Sequence, residues 1–231
     1  MKKNRAVRRL TEALPRRGIN MSTVNICETF TSIQGESSYA GLSCFFIRLS
    51  GCNLRCKYCD TVYAYKSGKD VAVGKLVEKA VASGAALIEI TGGEPLLQPG
   101  FRDLAVALRD KTGGKVFVET NGSLDISVIP DNVIAVMDIK CPASGESGKM
   151  DLSNIGRMRP YDEVKFVLSN RGDYDWAVKL VKRYKLTYVC NSVFFSPVYG
   201  VLDAKKLGKW ILKDKQGVRL GVQLHKVIGV K

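Results

Sequence analysis

Apolar runs along this chain are short and are separated by amphipathic stretches and glycine-rich breaks, the pattern of buried strands alternating with surface helices. Residues 24–31 and Cys44–Leu49 read as strands, the second a nearly continuous apolar run of the kind buried in a sheet. Helical spacing over Val71–Ser83 predicts a helix, and Ala86–Ile90 is a short strand ending at Thr91-Gly-Gly-Glu-Pro95. A second helix is expected at Phe101–Lys111, and Gly113-Gly114 breaks the chain before a strand at Lys115–Glu119. Further strands are expected near Val133–Ile139, Glu163–Leu168 and Thr187–Phe195, helices near Tyr174–Tyr184 and Ala204–Lys213, and a last strand at Val218–Leu224.

Strands alternating with helices imply parallel βα units, and five or six of them predict an α/β fold built as an incomplete, open parallel β/α barrel. Such folds place their catalytic groups on loops at the carboxyl ends of the strands. Segments 33–36, 51–61, 91–95, 119–122 and 138–145, all polar or glycine-rich, are expected at those ends.

The length of 231 residues suits one substantial core, so residues 21–231 are expected to form a single domain. Residues 1–20 stand apart: Lys2, Lys3, Arg5, Arg8, Arg9, Arg16 and Arg17 face one acid, Glu12. They read as a basic tail, a short helix or an extension upstream of the functional start. The net charge of +14 raises nucleic acid as a partner, but the remaining basic residues are scattered over helix faces with no aromatic-interleaved strip. An anionic small substrate is the better match. No apolar stretch approaches the roughly 18 residues of a membrane span, and the first residues lack a secretory pattern, so a cytoplasmic location without membrane association is expected. In that compartment seven cysteines imply metal or redox chemistry rather than a disulfide framework. Cys27, Cys44, Cys141 and Cys190 lie in apolar or strand-like surroundings and read as small core residues.

Cys52, Cys56 and Cys59 are different, because their C-x3-C-x2-C spacing puts three thiols on one tight loop directly after a strand. A cubane iron-sulfur cluster held by three thiolates keeps one iron open for a ligand that is not protein. The alternative is a zinc site completed by a distant cysteine or by His225, the only histidine. Thr91-Gly-Gly-Glu-Pro95 is either backbone presented to a ligand or a tight βα turn.

With the cysteine loop, Tyr58 before its last cysteine and the Gly-Gly-Glu-Pro segment in this order, the chain resembles the radical S-adenosylmethionine enzymes. Phe30-Thr-Ser-Ile-Gln-Gly-Glu36, Cys-Asp-Thr61, Glu119-Thr-Asn-Gly122, Asp138-Ile-Lys-Cys-Pro-Ala-Ser-Gly145 and Gln223-Leu-His-Lys226 narrow the resemblance to their 7-carboxy-7-deazaguanine synthase family, from about residue 24 onward. The resemblance implies a lyase that contracts 6-carboxy-5,6,7,8-tetrahydropterin to 7-carboxy-7-deazaguanine with loss of ammonia, on the route to queuosine. It implies a [4Fe-4S] cluster on Cys52, Cys56 and Cys59, S-adenosylmethionine held by Tyr58, Cys59, Asp60, Gly93, Asp138, Ile139 and Lys140, and Mg2+ on Thr61. Substrate would meet Ile33, Gln34, Gly35, Glu36, Arg48, Thr91, Glu119 and His225. A flavodoxin or ferredoxin donor and a homodimer are further implications. Plainer readings stand beside these: Arg48 pairing with a core carboxylate, Thr61 capping a turn, Glu119 and Asn121 as turn chemistry, and His225 as a structural histidine. A glycyl-radical-enzyme activase and a zinc-stabilised nucleic-acid-binding module are the rival functions.

Overall fold

The computed structural model describes residues 22–66 and 68–231; the basic segment 1–20 lies outside the described residues. Its frame is an open nine-stranded sheet. Strand β1 (Thr23–Ile33) pairs antiparallel with β2 (Ser43–Leu49) on one side and with β3 (Lys69–Ala72) on the other. From β2 onward every neighbour is parallel: β4 (Leu87–Gly92), β5 (Lys115–Thr120), β6 (Val133–Asp138), β7 (Glu163–Leu168), β8 (Ser192–Pro197) and β9 (Arg219–Leu220). The expected open parallel β/α barrel is therefore the observed architecture, with an antiparallel flap at one edge. Among the described residues no helix is long and apolar enough to cross a membrane.

Helices α1 (Val73–Ser83), α2 (Phe101–Lys111), α3 (Arg171–Tyr184), α4 (Leu186–Val189), α5 (Ala204–Lys213) and α6 (Leu224–Ile228) complete the chain. The period-2 alternation of the strands sorts their side chains by face. Phe45, Ile47 and Leu49 of β2 and Ile88 and Ile90 of β4 pack outward with Leu76 of α1 and Leu104 and Leu108 of α2. Val164, Phe166 and Leu168 of β7 pack outward with Tyr174 and Ala177 of α3 and Leu207 of α5. The inward set begins as an apolar floor of Cys44, Phe46, Leu87, Phe117, Ile134 and Val136, and turns polar toward the carboxyl ends.

Three element expectations need correction. Val71 and Ala72 are strand, because residues 69–72 pair with β1 before the helix starts at Val73. The run Thr187–Phe195 is helix before it is strand: Lys185, with φ of 51°, ends α3, and α4 buries Leu186 while leaving Tyr188 90% exposed. Only Arg219–Leu220 of the last predicted strand pairs with β8, since the Leu224 N–H bonds the Gly35 carbonyl at 2.9 Å and the chain turns into α6. Position is also corrected for residues 33–36. Because β1 runs antiparallel to β2, with Ile33 opposite Ser43, this segment lies at the amino ends of the parallel strands and enters the barrel from below.

Candidate active site

The cysteine loop leaves β2 at its carboxyl end. Gly51 N–H donates to Ala64 O at 2.8 Å, Leu54 is buried beneath the loop, and Cys59 N–H donates to Cys56 O at 3.2 Å. The loop after β6 clamps it from the side: Lys57 N–H donates to Ser144 O at 3.0 Å, and Arg55 N–H donates to Glu146 Oε1 at 2.9 Å. Asp173, buried at the start of α3, holds that clamp by accepting the N–H groups of Ala143 and Ser169, each at 2.9 Å. Cys52, Cys56 and Cys59 all line one cavity of about 430 Å³, and they are the cysteines that do so among the described residues. No three His, Cys, Asp or Glu side chains among the described residues converge on a point that would hold a single metal ion. A cubane gives each thiolate its own iron, so three half-buried thiols around a shared volume fit it.

Gly92 and Gly93 serve the same loop. Gly92 has φ of 145°, outside the range of ordinary side chains, and a Cβ there would strike the Leu49 backbone. At Gly93 a Cβ would strike the Gly51 carbonyl and lie 2.8 Å from Cys52 Cβ. The close approach these glycines permit is first to the cysteine loop, pinned by Glu94 N–H to Gly51 O at 2.8 Å. The Glu94 carboxylate is fully buried and accepts from Leu96 N–H (3.0 Å), Thr120 Oγ1 (2.8 Å) and Asn121 N–H (2.6 Å). It shapes the 119–122 loop and does not line the cavity.

Around the cysteines, the cavity wall carries a network of charges. Lys165 of β7, 6% exposed, donates to Glu36 Oε2 at 2.6 Å and to the two Glu119 oxygens at 3.2 and 3.3 Å, and lies 3.9 Å from Asp138 Oδ2. Lys140 donates to Asp138 Oδ2 at 2.8 Å, while Asp138 Oδ1 is buried with no hydrogen-bond partner among the described residues. That orphaned acceptor beside the cysteine loop fits a polar cofactor. Gln34 donates to Glu89, and its Oε1 accepts Glu36 N–H at 3.0 Å. Burial, aided by Glu119, pushes the Glu89 carboxyl well above the usual range, which favours its neutral form. Burial also raises Glu119, whereas Lys165 overrides burial at Glu36 and lowers it.

Register places Arg48 of β2 beside Thr91 of β4, both on the cavity. Arg48 engages Glu28 through Nε at 3.0 Å, so the plainer pairing does form, yet with a carboxylate at the rim and through one nitrogen. Thr61 Oγ1 donates to Asp60 Oδ1 at 3.0 Å, and Asp60 also takes Lys226 Nζ at 2.6 Å. Tyr58 donates to Val167 O at 3.0 Å. The C-terminal strap closes one side: Gln223 Nε2 donates to Glu36 Oε1 at 2.8 Å, and His225 packs so tightly on Gly35 that a Cβ there would overlap its ring.

Of the candidate site residues, Ile33, Gln34, Gly35, Glu36, Arg48, Cys52, Cys56, Tyr58, Cys59, Asp60, Thr61, Thr91, Gly93, Glu119, Asp138, Lys140 and His225 all line the cavity. Ile139 does not; its side chain is in the outer core and its N–H bonds Lys165 O at 2.9 Å. Sequence reasoning missed Lys165, Glu89, Glu146 and Asp173. A lysine within the apolar strand Glu163–Leu168, and an acid inside Leu87–Gly92, were the available signals: a charge on a buried strand requires partners. Nothing local marks Asp173, whose importance is two backbone N–H groups far apart in sequence.

Residues 46–200 match the family model of the radical SAM superfamily. A 7-carboxy-7-deazaguanine synthase of Koribacter versatilis is 40% identical over 224 residues, covering 89% of this chain and 96% of its own. One of Chlorobaculum tepidum is 40% identical over 208 residues, covering 89% and 94%. The crystal structure of QueE from Escherichia coli shares the fold with a TM-score of 0.73 at 22% identity over 88% of this chain and 95% of that one. The structure of Streptococcus suis SuiB bound to S-adenosylmethionine matches at a TM-score of 0.54 and 12% identity, over 74% and 45%.

Proposed function

The chain belongs to the radical SAM superfamily and, within it, to the 7-carboxy-7-deazaguanine synthases, and from that premise we propose that this lyase converts 6-carboxy-5,6,7,8-tetrahydropterin to 7-carboxy-7-deazaguanine and ammonia. The observation that carries the reading is that one cavity is lined both by the three cysteines and by Arg48, Gln34, Glu36 and Glu119. Its volume of about 430 Å³ lies in the range of small-molecule sites.

Cys52, Cys56 and Cys59 would hold the [4Fe-4S] cluster, and Tyr58, Cys59, Asp60, Gly93, Asp138, Ile139 and Lys140 S-adenosylmethionine, Ile139 through its backbone. When bound, these groups supply a carbon-centred radical that abstracts hydrogen from substrate. Everything else is positioning. Arg48 retains its Nη groups as a fork for the substrate carboxylate. Glu36 and Glu119 accept ring N–H groups, and Glu89, accepting from the Gln34 amide, fixes that amide against the ring edge. Ile33, Gly35 and Thr91 border the ring, and His225, on the strap, excludes water from it. The Thr61 hydroxyl would give Mg2+ one hard oxygen ligand, with water and substrate oxygens completing the shell. A flavodoxin or ferredoxin as electron donor, a homodimer, a cytoplasmic location and residues 21–231 as one domain belong to the same proposal.

The test is anaerobic reconstitution followed by incubation with the carboxytetrahydropterin, S-adenosylmethionine, Mg2+ and a reductant. Formation of the deazapurine with release of ammonia is expected. A brown, iron-loaded protein that makes no deazapurine would overturn the substrate assignment, and a colourless protein with stoichiometric zinc would overturn the radical reading.

A further inference from the structure

Lys165 is the group at which the cavity's acidic wall meets. It lies mid-strand in β7, almost fully buried, and its ammonium reaches Glu36 from the β1–β2 segment, Glu119 from β5 and Asp138 from β6. Among the described residues no other cation bonds Glu36 or Glu119. Below it the same inward face carries an apolar patch of Cys44, Phe46, Leu87, Phe117, Ile134 and Val136, and the one acid beneath Lys165 on its own strand, the buried Glu163, is taken up by Ser38 N–H and Asn191 and does not line the cavity. A buried ionic cluster contributes little net stability compared with apolar packing of the same volume. Lys165, Glu36, Glu119 and Asp138 all line the cavity, and that placement speaks for a ligand rather than for the fold.

We propose that Lys165 is a positioning residue, which holds Glu36 and Glu119 side by side as ionised acceptors for adjacent N–H groups on one edge of a flat heterocyclic substrate. The inference rests on the substrate class proposed above. Without the ammonium, two carboxylates on neighbouring elements would repel each other, and one would take up a proton and become a donor, the wrong partner for an N–H edge. The other ionisable groups facing this cluster are Glu89 from β4, Lys140 beyond β6, Asp60 from the cysteine loop and His225 from α6.

The experiment compares reconstituted wild type, K165M, K165R and K165M/E119Q. In K165M the dissociation constant of the carboxytetrahydropterin, measured by equilibrium titration without reductant, is expected to rise roughly tenfold or more. The acid limb of kcat/KM is expected to move to higher pH by about one unit, because the charge that kept the carboxylates ionised is gone. K165R should recover most of the binding. The double variant should melt higher than K165M, since E119Q removes the repulsion. Unchanged binding and an unchanged pH profile in K165M would overturn the proposal, as would losses that K165R fails to recover. The melting comparison needs no substrate: if wild type bound no pterin while E119Q still rescued K165M, the substrate assignment would fail and the carboxylate-holding role would stand. No rescue by E119Q would sink that role whatever the substrate.

Discussion

Replacing Gly93 with alanine places a methyl group where the cysteine loop passes. The new Cβ would lie 2.6 Å from the Gly51 carbonyl carbon and 2.8 Å from Cys52 Cβ. Relaxing those contacts to ordinary carbon–carbon separation of about 3.5 Å requires a retreat of ~1 Å, and clearing the Gly51 carbonyl oxygen, which the Cβ would overlap, requires more. Backbone stands on the blocked side, so no rotamer change relieves it. Two hydrogen bonds oppose the retreat, Gly93 N–H to Leu49 O at 3.2 Å and Glu94 N–H to Gly51 O at 2.8 Å. Overpacking costs about 1–3 kcal/mol and a weakened buried hydrogen bond about 1 kcal/mol, so G93A should lose roughly 2–4 kcal/mol. For a chain of this size that lowers Tm by roughly 5–15 °C. The displacement falls on Cys52, so iron bound per chain after anaerobic reconstitution should drop as well. G148A is the control, because a Cβ at Gly148 meets nothing within 4 Å. Full iron content in G93A, with a Tm equal to that of G148A, would refute the role given to this glycine.

At Gly35 the same substitution strikes the other wall: a Cβ would overlap the His225 ring and lie 2.9 Å from its backbone nitrogen. G35A should dislodge α6 and raise KM roughly tenfold, the loss of one or two ordering hydrogen bonds, while iron loading stays at the wild-type level; steady-state kinetics beside iron analysis decides it. Asp173 tests the clamp at a distance, since D173A leaves two part-buried N–H groups without their acceptor and should cost about 1–3 kcal/mol with reduced cluster retention, read by melting and by the rate of iron loss to a chelator. Glu28 supplies a pH test. Partial burial opposes its ionisation, but Lys231, Tyr63 and Arg48 hold its carboxyl below the usual 4.5, so its stabilising contribution is complete above that value and is lost as pH falls through the lowered folded pKa. Wild type should therefore melt above E28Q at neutral pH, and the gap should close only at acid pH; a gap that does not depend on pH would contradict the ion-pair account.

Local pattern was enough for the parallel units. Strands such as Cys44–Leu49 and Glu163–Leu168 carry their burial in their own apolar residues, and the spacing of the three cysteines marks them as a candidate metal site. Where the reading failed, long-range pairing outweighed local pattern. Val71 and Ala72 follow β1 rather than their helical neighbours, and residues 222–224 leave the sheet as the Leu224 N–H turns to the Gly35 carbonyl.

The sequence by itself determined the βα order, the candidate chemistry of the cysteine loop and the resemblance from which half of the cavity-lining residues were named. What only the tertiary structure decided is how distant groups meet. The antiparallel turn of β1 sends Glu36 into the barrel from the amino ends, where it reaches Lys165, 129 residues away. Gly93 yields to the cysteine loop before it can yield to a ligand, and Glu94 faces Thr120 and Asn121 instead of the cavity. The physical reason is that a buried charge or a missing Cβ is defined by its partner, and partners are fixed by strand direction and register, which no local window of residues contains.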